Sequence, residues 1–158
     1  MPELVHATCI AFGAQGVLLI GPPGSGKSDL ALRLIDQPGF GTGDTLLTAT
    51  LVSDDQVFIE RSDATLFASP PASIAGKIEV RGLDILSLRH CDRIQVVAAF
   101  EHSASASIER LPEPQTTEFQ AVALPLFRLD FMSPSAPARL RAALSLVQPS
   151  PRKERTRC

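Results

Sequence analysis

No stretch of about 18 consecutive apolar residues occurs in the chain, so a membrane-spanning helix is excluded. The N-terminus carries Glu3 and lacks a basic segment leading into a long apolar one, so no secretory signal is expected. Cysteine is scarce. Cys9, Cys91 and Cys158 are spread without C-x-x-C spacing, which speaks against a disulfide scaffold or zinc site and for a reducing, cytoplasmic location. Cys9 lies in an apolar run and reads as core. Basic charge is missing where a nucleic-acid face would need it. The net charge of −2 conceals a C-terminal stretch in which Arg152, Lys153, Arg155 and Arg157 outweigh Glu154, so the rest of the chain is more acidic than the total suggests. No internal repeat is visible.

With 158 residues, 44% of them hydrophobic, the chain can bury a real core in one domain. Residues 148–158 read as a basic, solvated and disordered tail, leaving 1–147 as the single folded domain. Its most informative stretch is the octet Gly21-Pro22-Pro23-Gly24-Ser25-Gly26-Lys27-Ser28, which matches the P-loop pattern G-x-x-x-x-G-K-[ST] in full. The octet follows the apolar run 16–20, read as a buried strand. It precedes residues 29–35, where Leu30, Leu34 and Ile35 share one side of a helix. Such a loop turns its backbone N–H groups into one concavity and adds the positive end of a helix dipole. All eight residues are therefore candidates for cradling the phosphates of a nucleoside triphosphate. Lys27 would reach the β- and γ-phosphates, facing solvent until they bind, and the Ser28 hydroxyl would ligate magnesium.

Around the loop, the pattern predicts a first strand over Val5–Phe12 that forms a hairpin with the P-loop strand. A strand over Leu46–Val52 follows, ending at Ser53-Asp54-Asp55. A hairpin of 56–59 with 65–68 comes next, and then an alternating segment over 74–88. Residues 94–100 read as a buried strand, 103–120 as a mobile loop, 121–129 as a last strand, and 137–147 as a closing helix with proline near its start. Strands dominate, so the expected class is α/β: a single P-loop domain with a mixed, strand-rich sheet. Asp54 and Asp55 close a strand where such sheets open toward their ligands. Neighbouring strand residues face opposite ways, so one aspartate could hold magnesium while the other faces an acceptor. Glu79 and Arg81 lie two apart on one face of their segment.

Taken in order, these elements resemble the HPr kinase/phosphorylase family, in its short form lacking the N-terminal domain. The shared features are Leu4-Val5-His6-Ala7, the P-loop, Leu51-Val52-Ser53-Asp54-Asp55, the run Ile78-Glu79-Val80-Arg81-Gly82-Leu83, and Ile108-Glu109-Arg110-Leu111, over about residues 4–130. The resemblance implies a catalytic domain akin to phosphoenolpyruvate carboxykinase. It implies ATP- and Mg2+-dependent phosphorylation of a seryl hydroxyl of the phosphocarrier HPr, regulating the phosphotransferase system and carbon metabolism. In that scheme His6, Lys27, Asp54, Asp55 and Arg110 are catalytic, and Ser28 and Glu79 hold the metal. One of Asp54 and Asp55 accepts the serine proton, and Arg110 steadies the transferred group. A homo-oligomer is compatible with the family; nucleic acid and membrane are not expected as partners.

The sequence departs from the family pattern in two places. Asp84 stands where glycine is usual, and Pro125-Leu126-Phe127-Arg128-Leu129 is all that remains of a segment tied to dephosphorylation. Forward kinase activity is therefore expected to outweigh the reverse phosphorolysis. Two other readings compete, a small-molecule P-loop kinase and a nucleotide-dependent regulatory module without transfer. The hairpin before the loop and the strands after it count against the first.

Overall fold

The computed structural model of the protein describes residues 1–147 and Cys158; the expected basic tail falls on 148–157, outside the described residues. The chain opens with a short strand β1 (Glu3–Val5), turns out at His6-Ala7, and re-enters as β2 (Thr8–Phe12). This corrects the single strand expected over 5–12. β1 pairs with β5 (Val57–Ser62), whereas β2 pairs antiparallel with both β3 (Gln15–Ile20) and β4 (Ala49–Ser53). The break lets one stretch of chain serve two parts of the sheet, and it brings His6 to the surface at the join.

The P-loop leads from β3 into α1 (Lys27–Asp36). β5 and β6 (Thr65–Ser69) form the expected hairpin, and β7 (Lys77–Val80) and β8 (Asp84–Ser87) form a separate two-stranded sheet. β9 (Ile94–His102) runs parallel to β3 along nearly its whole length. Its other edge is divided: β6 pairs with its first residues, and β11 (Val122–Leu129) pairs in parallel with its last. The mobile loop expected over 103–120 is in part ordered. A 3-10 turn occupies Ser105–Ser107, and β10 (Gln115–Phe119) pairs antiparallel with β11. The alternation in Gln115-Thr116-Thr117-Glu118-Phe119 is too polar to announce a strand; pairing with β11 supplies the order. α2 (Ala136–Leu144) closes the described part, with Pro137 in its first turn.

Alternate residues of the central strands divide the core in two. Ile10, Val17, Leu19 and Phe100 pack with Leu30, Leu34 and Leu140 of the helices, while Cys9, Leu18 and Val52 pack with Val57, Ile59 and Leu66. Both faces of the sheet are thus covered, as continuous apolar strands require. Arg141 is buried where α2 meets α1. Its guanidinium donates to Leu34 O (2.8 Å) and Leu47 O (2.9 Å), satisfying a carbonyl in the last turn of α1 that has no partner within the helix. Burial pushes its pKa down from the ordinary arginine value. Against the sequence reading of unpaired thiols, Cys91 is joined to Cys158. Cys9 is the buried free thiol, and desolvation raises its pKa strongly.

Candidate active site

β3, β9 and β11 run parallel, and β4 shares their direction because it is antiparallel to β2, which is antiparallel to β3. Their carboxyl ends therefore meet at one edge of the sheet, where ligands of such sheets bind. A cavity of about 410 Å³ opens there, bounded by the P-loop, Asp54, Asp55, the Glu79–Arg81 stretch and Met132.

The P-loop is folded as its sequence requires. Gly26 has φ 98°, a left-handed conformation that favours glycine, and it begins α1. A Cβ at Gly21 would lie 2.5 Å from Ser25 Oγ. That hydroxyl is buried and has no hydrogen-bond partner among the described residues. An orphaned buried hydroxyl inside a loop of converging amides suits a phosphate oxygen, so the residues present fit a triphosphate. Lys27 corrects the expectation of a solvent-facing side chain. It is buried, and its ammonium donates to Gly21 O (2.7 Å) and Pro22 O (3.2 Å), carbonyls of the loop it serves.

Asp54 is the hub. Its Oδ1 accepts from Ser28 Oγ (2.6 Å) and from Thr8 Oγ1 (3.2 Å), and its Oδ2 accepts from the Glu79 N–H (3.3 Å). Nearly buried, it joins three elements: β2, the first turn of α1, and β7. Asp55 differs in every respect. It sits at φ 67°, left-handed and costly for a residue with a Cβ. That twist turns its carboxylate outward, where Oδ1 lies 3.3 Å from His6 Nε2, both side chains being about half exposed. The Asp55 N–H donates to Thr8 Oγ1 (3.1 Å). The division expected from strand alternation is thus made by a turn after β4 instead.

Glu79 lines the cavity as an exposed side chain on β7. Arg81 lines it from the turn beyond, and no ion pair joins the two among the described residues. Arg110 lies in the exposed stretch after the 3-10 turn and is not part of the cavity wall. Asp84 is likewise outside the wall, its Oδ1 accepting from the Ile85 N–H (2.7 Å). Arg128 is turned to Glu101 and Gln115 on the sheet surface.

A family model described as the HPr Serine kinase C-terminal domain matches residues 2–129. The chain belongs to this HPr serine kinase domain family. Among its relatives, the HPr kinase/phosphorylase of Chlorobium chlorochromatii (strain CaD3) is 33% identical over 140 residues, covering 80% of this chain and 39% of that protein. That of Clostridium botulinum (strain Eklund 17B / Type B) is 33% identical over 107 residues, covering 62% of this chain and 32% of that protein. The chain thus spans about a third of the length of these relatives. The HPr(Ser) kinase/phosphatase structure from Coxiella burnetii matches with a TM-score of 0.75 at 20% identity, over 91% of this chain and 95% of that one. At that identity the likeness speaks for the fold, an α/β domain of the HPr kinase catalytic type with a mixed, strand-rich sheet. No helix among the described residues is long and apolar enough to cross a membrane.

In this member of the family, the sequence reading missed Thr8. Its hydroxyl, fully buried on β2, bridges the two aspartates, donating to one and accepting from the backbone of the other. The available signal was a lone hydroxyl inside an otherwise apolar strand, two residues after His6. Asp54 was also missed as a partner of Ser28, because the spacing between positions 28 and 54 carries no local pattern.

Proposed function

We propose that this HPr kinase domain transfers the γ-phosphoryl group of ATP to a seryl hydroxyl of HPr. The observation that carries the reading is the split between the aspartates: Asp54 is fastened to the Ser28 hydroxyl, and Asp55 is turned out beside His6. Magnesium and ATP together would supply the phosphoryl group and neutralise its charge. Ser28, Asp54 and Glu79 are the residues that would offer oxygen donors to the metal. Ser28 retains lone pairs for a cation while its O–H donates to Asp54.

The chain's own residues then do the positioning that phosphoryl transfer demands. The loop amides and Ser25 Oγ hold phosphate oxygens. Lys27 exchanges its carbonyl partners for them, which closes the loop on its ligand. Asp55 accepts the seryl proton, and His6 keeps its carboxylate aimed outward, toward a protein acceptor. An acceptor as large as HPr has to be met at an exposed carboxylate, which Asp55 is and Asp54 is not.

Reverse phosphorolysis is the weaker direction in this reading. It needs extra cationic donors for a second anion, and Arg110 and Arg128 both stand outside the cavity wall. The reaction belongs to the cytoplasm, where ATP is available. The test is incubation with γ-labelled ATP, Mg2+ and HPr. One phosphate on a single serine of HPr, lost when that serine is replaced, is the expected result. Unlabelled HPr beside retained ATP binding would instead make the domain a nucleotide-dependent regulatory module.

A further inference from the structure

Met132 lines the cavity but has no share in the phosphate, metal or proton roles assigned above. Its side chain is 62% exposed, although the backbone that carries it is held firmly. Arg33 of α1 donates to Ser133 O (3.0 Å) and to Phe131 O. The Phe131 N–H donates to His102 Nδ1 (3.2 Å), and the Met132 N–H donates to Asp130 Oδ1 (3.0 Å). Asp130 is itself fixed by the Ser105 hydroxyl (2.6 Å), and that hydrogen bond holds its carboxyl below the ordinary carboxylate pKa. A long apolar side chain is thus presented to solvent from a rigid support, at the mouth of a polar site.

Its position in the sheet says what it faces. Asp54 and Asp55 follow β4, on one flank of the P-loop strand β3. Residues 130–135 follow β11, on the opposite flank beyond β9. A triphosphate whose terminal phosphate lies toward Asp55 must trail its nucleoside end toward the β9–β11 flank. There Met132 stands over the junction of loop and helix, its Sδ only 2.6 Å from where a Cβ on Gly26 would be.

We propose that Met132 is the platform for the base of the bound nucleoside triphosphate, its polarisable sulfur lying against the flat ring. The inference rests on the nucleotide reading of the P-loop. The experiment compares Met132→Ala, Met132→Leu and the parent protein in equilibrium binding of Mg·ATP and of Mg·tripolyphosphate, which has phosphates but no base. Met132→Ala should weaken ATP about five- to tenfold, the scale of a thioether–ring contact. It should leave tripolyphosphate within about twofold, and Met132→Leu, which keeps the apolar surface but not the sulfur, should bind ATP with an affinity between those of the parent and Met132→Ala. Equal weakening of both ligands, or ATP affinity unchanged in Met132→Ala, overturns the proposal. Failure of the parent protein to bind either ligand overturns the nucleotide reading itself, so the two failures are told apart.

Discussion

Replacing Thr8 by valine keeps the shape of a fully buried side chain and removes only its hydroxyl. Two hydrogen bonds go with it, the donation to Asp54 Oδ1 and the acceptance from the Asp55 N–H. A hydrogen bond to a charged group contributes about 1.5–3 kcal/mol, and a buried donor left unpaired costs about 1–3 kcal/mol. The contact to Asp54 is long at 3.2 Å, and Asp55 borders solvent, so both contributions belong at the low end. The loss in stability should be about 2–3 kcal/mol, or about 4–12 °C in the melting midpoint of a domain of this size.

The functional loss has a separate cause. A left-handed backbone costs a residue with a Cβ about 1–2 kcal/mol. Without the Thr8 acceptor, Asp55 relaxes toward extended geometry and its carboxylate leaves His6. The expected fall in kcat for HPr phosphorylation is about tenfold, equivalent to about 1.4 kcal/mol of barrier, with KM for ATP changing less because Asp54 keeps its bonds to Ser28 Oγ and the Glu79 N–H. Thr8→Ser, which keeps the hydroxyl, should recover most of kcat. Urea unfolding and steady-state kinetics on the three proteins separate the two effects. A folded Thr8→Val protein with kcat within twofold of the parent, or a serine variant that fails to recover, refutes the positioning role.

Lys27→Ala should abolish transfer and weaken ATP binding at least tenfold, about 1.4 kcal/mol. Because the lysine also ties Gly21 O and Pro22 O, the variant should melt measurably lower than the parent. Asp55→Asn should lower turnover with ATP affinity kept, whereas Asp54→Asn should raise the Mg2+ concentration needed for half-maximal rate; identical Mg2+ curves for the two would merge their roles. Glu79→Gln should lower the kinase rate more than tenfold, since a mere surface charge contributes at most about 1 kcal/mol and little function; a silent variant would remove it from the site. Arg141→Met should cost about 3 kcal/mol in urea unfolding by orphaning the buried Leu34 O and the part-buried Leu47 O, and a cost below about 1 kcal/mol would show that water replaces the guanidinium.

The P-loop, its flanking strand and helix, the hairpins and the mixed sheet were legible in the sequence because each is local. The octet carries its own geometry, and glycine and proline punctuate the strands. What escaped depends on partners distant in the chain. The interruption at His6-Ala7 is invisible while β5, the partner of β1, is unknown. β10 has too few apolar residues to announce itself, and its order comes from β11. Lys27 folds onto the loop because two carbonyls there need a donor, a demand that exists only after the loop has formed. Asp55 was read from strand alternation, but the strand ends at Ser53 and a left-handed turn decides its direction. The Cys91–Cys158 bond was missed because spacing along the chain says nothing about which thiols meet in space.

The divided edge of β9 bears on how the molecule comes into being. The P-loop strand finds its second neighbour only when residues 94–102 have been made, and one edge of β9 over Ala99–His102 stays uncovered until β11 arrives. Pairing between strands so far apart in the chain is slow to nucleate. On the ribosome, the octet will therefore emerge long before it can grip a phosphate. Nascent chains halted before β11 should show no nucleotide-dependent protection from proteolysis, and that protection should appear in one step once residues 122–133 have cleared the exit tunnel.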